Sequence, residues 1–300
     1  MHRLFIFILI TVFCCGCAKQ ERSQNPIKEK EYLAAESLKE KCAILLDTLC
    51  SKEYMGRKTG SEYDAKAFSY ICRVLSMTGY DYQIQEFLSK GGQSILRNII
   101  VTVPGKTDSV IVIGSHYDGA FLSDKTHHYP AANDNASGVV TNIALLDSIK
   151  NSGRINTPTI VCGFWDGEEV FDDSWVQGSS YYIRNNQDKE LIQYYINLDS
   201  IGHDHVLYIK HQGHGSVEHA LSRILSNHRL EYSPIDMNAE SGGSSDYVPF
   251  SHEGIPYLSF GDHNGDMCSF HSHTTNDKVE AISLDRIIIH VRNIMDLICL

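Results

Sequence analysis

Three short apolar runs constrain this chain more than anything else in it: VIVIG at 110–114, TIVCGF at 159–164 and YYINL at 194–198. A strand with one wet face alternates apolar and polar residues, whereas near-continuous runs of this length belong to strands buried on both faces. Apolar residues at helical spacing lie between and around them, at 31–48, 65–77, 137–149, 178–185, 216–228 and 284–300. Further β-rich segments fall at 80–88, 96–103, 205–210 and 256–260. Buried strands alternating with helices predict an α/β protein whose mostly parallel sheet is covered by helices on both faces. No Pro-, Gly- or Ser-rich stretch long enough for a linker interrupts residues 31–300, which read as one domain.

The first residues are of another kind. His2 and Arg3 precede an apolar run at 4–13, and Cys14, Cys15, Gly16 and Cys17 follow at once, the pattern of a secretory signal peptide over 1–16. The run is too short to span a bilayer as a helix. A small residue before a cysteine is similar to a bacterial lipoprotein cleavage box, so a lipid on Cys17 is expected. Residues 17–30 then form a polar tether between membrane and domain. An exported, lipid-anchored protein facing the periplasm or cell surface follows. With 26 basic against 37 acidic residues, a net charge of −11 and no basic run, nucleic acid is excluded as a partner. Six cysteines remain beyond the anchor, Cys42, Cys50, Cys72, Cys162, Cys268 and Cys299, and none stands in the paired spacing of a structural zinc site. Their spacing fits isolated buried thiols as well as disulfides.

Sites in open α/β sheets gather beyond the carboxyl ends of the strands. After VIVIGS comes His116, with Asp118 two residues on; after the second run come Glu168 and Glu169; after YYINL comes Asp199. Asp134 stands in the loop PAANDNASG before a helix, and His271 and His273 follow the last strand. Singly, each has a plain structural explanation: Asp134 as a helix cap, the glutamate pair as a solvated turn. Histidines 203, 205, 211, 214, 219 and 228 lack such placement and read as surface or internally satisfied. Jointly, two imidazoles and three carboxylates without a thiolate suit zinc, with cobalt or manganese as alternatives. If one carboxylate bridges, five side chains serve two ions roughly 3.5 to 4 Å apart and ready a water for attack. One glutamate of the pair can ligate while its neighbour handles the water's proton, which is hydrolase chemistry.

HYD at 116–118, NDNASG at 133–138, DGEE at 166–169, NLDSIG at 197–202, SDYVPF at 245–250 and HTTND at 273–277 stand in the order and spacing of a known family. Over about residues 60–300 the chain resembles the co-catalytic zinc aminopeptidases, a family that includes glutamate carboxypeptidases and, more distantly, glutaminyl cyclases. The resemblance implies a three-layer α/β/α sandwich with a mixed central sheet. It implies His116 and Asp199 on one zinc, Glu169 and His273 on the other, Asp134 as the bridge and Glu168 as general base. Asp118 then resembles the carboxylate that accepts the His116 ring N–H and fixes its tautomer. It also implies a cis peptide between Asp134 and Asn135.

Three departures from the family pattern stand out. Tyr247 replaces the histidine of an SDH motif beside Asp246, His271 is a second candidate ligand near His273, and residues 170–177 are longer than in aminopeptidases. The activity implied is removal of the N-terminal residue of a peptide substrate. The alternative is a glutaminyl cyclase with one zinc, which that longer segment favours, although Ser272 stands where such cyclases carry Trp. A third reading, an inactive surface binding protein, would be expected to have lost a ligand or the base, and none is missing.

Overall fold

The computed structural model describes residues 26–120, 129–203, 207–238, 245–262 and 272–298. Among these, eight strands are formed: β1 (Gln83–Leu88), β2 (Ile95–Val103), β3 (Val110–His116), β4 (Thr159–Trp165), β5 (Ile192–Leu198), β6 (Leu207–Gln212), β7 (Tyr232–Asp236) and β8 (Tyr257–Gly261). They make one sheet in the order β1-β2-β4-β3-β5-β8-β6-β7. The three apolar runs lie side by side at its centre. β3 pairs in parallel with β4 and β5, and β5 with β8, so four carboxyl ends share one edge. Pairs β1–β2, β2–β4 and β6–β8 are antiparallel, and β7 runs parallel to β6 at the far side. The sheet is mixed, with the parallel strands grouped where the site is built.

The helices are α1 (Pro26–Ala34), α2 (Leu38–Leu49), α3 (Glu62–Met77), α4 (Gly138–Ser152), α5 (Gln177–Asn185), α6 (Ser216–Ser226), α7 (Tyr247–His252) and α8 (Leu284–Ile298). Alternation along β3 divides the core. Ile111 and Ile113 join α2, α3, α4, α6 and α8 on one face, while Val112 joins Trp165, Tyr182, Tyr195 and Phe250 on the other, under α5 and α7. That is the expected three-layer arrangement. Helix α4 is buried almost all round because it lies between the sheet, α2 and α8. Its fixed position sets the loop carrying Asp134 at the carboxyl edge.

Gly114 at the end of VIVIG is a packing requirement. A Cβ there would stand 2.2 Å from Trp165 Nε1 and 2.4 Å from the Tyr195 hydroxyl. The indole donates to that hydroxyl (3.0 Å), Tyr195 to Asn197 Oδ1 (2.9 Å), Asn197 to Ser245 Oγ (2.9 Å), and Ser245 to Asp199 Oδ2 (2.7 Å). A polar chain therefore runs from the aromatic core under α7 to a candidate ligand.

Several elements differ from the sequence reading. The helix expected over 31–48 is two helices, broken where Ser37 caps α2 in a capping box with Glu40. α1 begins at Pro26, inside the segment read as tether, with proline at the first helical position where its missing N–H costs nothing. β7 and α7 have no counterpart in that reading. β7 carries Pro234, tolerated because the strand lies at the sheet's edge, and α7 is too short to show a period. Cys42, Cys50, Cys72 and Cys162 are buried free thiols, whereas Cys17, Cys268 and Cys299 lie outside the described residues.

Candidate metal centre

His116 ends β3, Glu168 and Glu169 form the turn after β4, and Asp199 follows β5 directly. Asp134 lies in the irregular helical turn Ala132–Ser137 leading into α4, and its peptide bond to Asn135 is cis, as the resemblance implies. His273 comes from the loop after β8. The two oxygens of Asp134 face different imidazoles: Oδ1 lies 3.4 Å from His116 Nε2, and Oδ2 lies 3.3 Å from His273 Nε2. His116 Nε2 is also 3.7 Å from Asp199 Oδ1, and His273 Nε2 is 3.0 Å from Glu169 Oε1. Potential ligand atoms of His116, Asp134 and Asp199 lie within 4.8 Å of one another, as do those of Asp134, Glu169 and His273. All five sequence candidates thus converge as two groups sharing one carboxylate. The alternative ligand His271 lies outside the described residues.

The supports come from the backbone as much as from side chains. Asp277 accepts the N–H groups of Asn133 (2.7 Å) and Asp134 (3.0 Å), one on each oxygen. Asn133 Oδ1 accepts from Gly202 and His203, and the Asn135 amide donates to Leu198 O, which fastens the Asp134 loop to the segment after β5. Asp118 is fully buried and accepts from the Glu168 and Glu169 N–H groups and from the Thr59 hydroxyl. His116 Nδ1 stands 3.2 Å from the Asp118 carbonyl oxygen and 3.6 Å from its Oδ1. Both the carbonyl and the carboxylate of Asp118 thus face the same ring nitrogen, and the carboxylate also holds the glutamate turn. His203, read as surface or satisfied, is not at the surface: it is buried with Nδ1 3.3 Å from Asp262 Oδ2. Tyr247 is buried and stacked on Tyr257 with ring centroids 4.5 Å apart, and it lines a small cavity together with Asp199 and Ser245.

Charge is concentrated here. Burial opposes a charge on His116, yet Glu168, Asp118, Asp134 and Asp199 push its pKa well above the ordinary imidazole value. Hydrogen bonds that His273 donates to the Asp134 and Glu169 carboxylates raise its pKa to about 11. Burial lifts Glu169 to about 7 and Glu168 well above the usual carboxylate range, whereas at Asp134 both imidazoles outweigh burial and hold the carboxyl well below it. Buried carboxylates crowded in this way demand positive charge. His116 Nε2 is buried without a hydrogen-bond partner while facing two carboxylate oxygens at distances too long for hydrogen bonds. An unpaired ring nitrogen among carboxylate oxygens is a donor set for a divalent ion, and imidazole with carboxylate suits zinc. The supporting roles of Asn133, Asn135, Thr59 and Ser245 escaped the sequence reading, although NDNASG and SDYVPF held three of these residues in view.

Two ligand groups sharing a carboxylate at the carboxyl edge of a mixed α/β/α sheet define an α/β protein with a candidate binuclear metal centre. The chain belongs to Peptidase family M28, whose family model matches residues 98–298. It is 26% identical over 214 residues to leupeptin-inactivating enzyme 1 of Streptomyces exfoliatus, covering 70% of this chain and 45% of that protein. It is 24% identical over 254 residues to leucine aminopeptidase 1 of Aspergillus niger, covering 80% and 64%. The chain thus spans between 45% and 64% of these relatives' length. Among solved structures, BSAP, a zinc aminopeptidase from Bacillus subtilis, superposes with a TM-score of 0.70 at 14% identity, over 86% of this chain and 94% of that one. An Acidobacteriales bacterium glutaminyl cyclase gives 0.69 at 19% identity, over 88% and 94%. Both share the fold.

Proposed function

We propose that the protein is an exported zinc-dependent aminopeptidase that hydrolyses N-terminal residues of peptides. The observation that carries this reading is Asp134, whose two oxygens face two imidazoles belonging to two ligand groups. His116 and Asp199 would hold one zinc, Glu169 and His273 the other, and Asp134 both. When bound, zinc supplies Lewis-acid polarisation of the scissile carbonyl and acidifies water at neutral pH. Glu168 takes a proton from the attacking water and returns it to the leaving amine, so the C–N bond breaks as the new C–O bond is completed. Its place in the turn is fixed from both ends, since its N–H donates to Asp118 and its carbonyl accepts from Val176. The low exposure of Glu168, Glu169 and Asp134 limits competing solvent.

Zinc-loaded protein should release free amino acids from unblocked peptides and leave N-acetylated ones intact. A second reading, a glutaminyl cyclase with one zinc, is favoured by residues 170–177, folded into a turn closed by Phe171 and Ser174, and by the matching cyclase structures. There Glu168 would carry a proton from the α-amine to departing ammonia. Conversion of N-terminal Gln to pyroglutamate without hydrolysis of any unblocked peptide, with one equivalent of zinc that excess metal cannot raise, would overturn the peptidase reading in its favour. The anchor is checked separately by mass spectrometry of the mature protein. Diacyl or triacyl mass on Cys17 supports membrane attachment, each buried CH₂ adding about 0.8 kcal/mol, and an unmodified N-terminus beyond Cys17 refutes it.

A further inference from the structure

We infer that the loop of residues 54–60, which precedes the part of the chain matched by the family model, sets the geometry of the metal centre through Arg57 and Thr59; the inference rests on the metal-dependent reading above. Arg57 is completely buried. Its guanidinium donates from Nε to Tyr117 O (2.9 Å), from Nη1 to Leu49 O (2.9 Å) and Pro130 O (3.1 Å), and from Nη2 to Ala131 O (2.6 Å). Tyr117 lies between His116 and Asp118, and Pro130 and Ala131 lead into the turn that carries Asp134. One planar fork therefore spans the two segments whose spacing places His116 opposite Asp134.

The rest of the loop reaches the other ligands. The Thr59 hydroxyl donates to Asp118 Oδ2 (2.7 Å), the oxygen that also accepts the Glu169 N–H. Gly119 N–H donates to Arg57 O, and Thr59 N–H to Gly119 O, so the loop is laced to the end of the β3 segment. Gly56 packs on Tyr129, where a Cβ would stand 2.5 Å from the carbonyl oxygen and 2.9 Å from the ring, and the Tyr129 hydroxyl accepts the backbone N–H of His273 (3.1 Å). Met55, Gly56 and Arg57 all have positive φ, 39°, 78° and 57°. Three consecutive left-handed residues persist where surrounding contacts over-determine them. The loop thus supports the surroundings of His116, Asp134, Glu169 and His273. Arg57 is a positioning residue: it reaches the centre through the carbonyls it gathers.

The test compares wild type, Arg57→Lys, Thr59→Val and, as a control, Tyr80→Phe, which removes a hydrogen bond to Leu146 O on the far side of α4. Lysine keeps the charge but cannot form a planar fork to four carbonyls. Each protein is melted, titrated with zinc against a chelator, and substituted with cobalt for its visible spectrum. Two equivalents bound by wild type establish the metal reading independently of any variant; no binding defeats that reading and this inference together. Arg57→Lys and Thr59→Val should bind about 10 to 100-fold more weakly, shift the cobalt bands, and lower kcat with little change in KM. Tyr80→Phe should lower the melting temperature while leaving affinity and spectrum as in wild type. Should Arg57→Lys fail to fold, Thr59→Val carries the test alone. Wild-type affinity and an unshifted cobalt spectrum in the folded variants overturn the inference.

Discussion

On the proposed reading Glu168 and Glu169 are neighbours with different work, and the same Glu→Gln substitution made at each separates the two roles. Glu168→Gln preserves size and every candidate ligand, so both metal ions should stay while kcat for peptide hydrolysis falls about 10² to 10⁴-fold, as loss of a general base requires. Metal analysis beside steady-state kinetics checks this; a variant within tenfold of wild type removes Glu168 from the reaction. Asp134→Ala should abolish binding of both ions, because one carboxylate serves both groups, whereas Glu169→Gln should weaken one. Residual binding of one full equivalent in Asp134→Ala would show that the carboxylate does not bridge. Residue types at strand ends made these candidates legible: a carboxylate or imidazole directly after a buried run has few plain explanations. Arg57 was not legible, because its partners are backbone carbonyls of segments distant in sequence, such as Pro130 O. A side chain that binds carbonyls leaves no pattern in the identity of what it binds.

At the scale of elements, the central strands were readable as unbroken apolar runs buried on both faces, and the long helices α3 and α8 by the helical spacing of their apolar residues. β7 and the six-residue α7 were not, since an edge strand with a proline and a helix of under two turns are defined by what they pack against. α8 also carries a buried His290 whose ring nitrogen lies 3.3 Å from the Tyr232 hydroxyl of β7, with Phe260 of β8 edge-on to the ring. Burial, aided by Arg286, pushes its pKa down to about 3. The unfolded chain, with an ordinary imidazole near 6.5, therefore binds more protons between pH 6.5 and 3. The stability contributed by neutral His290 is complete above pH 6.5 and is lost as pH falls, by at most about 1.4 kcal/mol per pH unit. Urea unfolding at pH 7 and pH 5 should show a shallower decline for His290→Gln than for wild type. Equal declines would mean that His290 titrates alike in both states.

The whole molecule places its chemistry at one edge of one sheet, beyond the ends of four parallel strands, and the aromatic core under α7 is wired to that edge by hydrogen bonds running from Trp165 to Asp199. The chain contains two tryptophans. With Trp175→Phe, the indole of Trp165 becomes the sole long-wavelength emitter, seated where a change in charge at Asp199 alters the field across its ring. Adding zinc to chelator-treated protein should shift its emission in a saturable way and at the stoichiometry found by metal analysis, whereas Asn197→Leu, which breaks the relay, should leave binding measurable but mute the shift. An emission spectrum indifferent to zinc in the intact relay would show that the two ends are electrically separate. If the emission follows zinc in this way, the packing that forces glycine at position 114 makes Trp165 an optical gauge of metal occupancy.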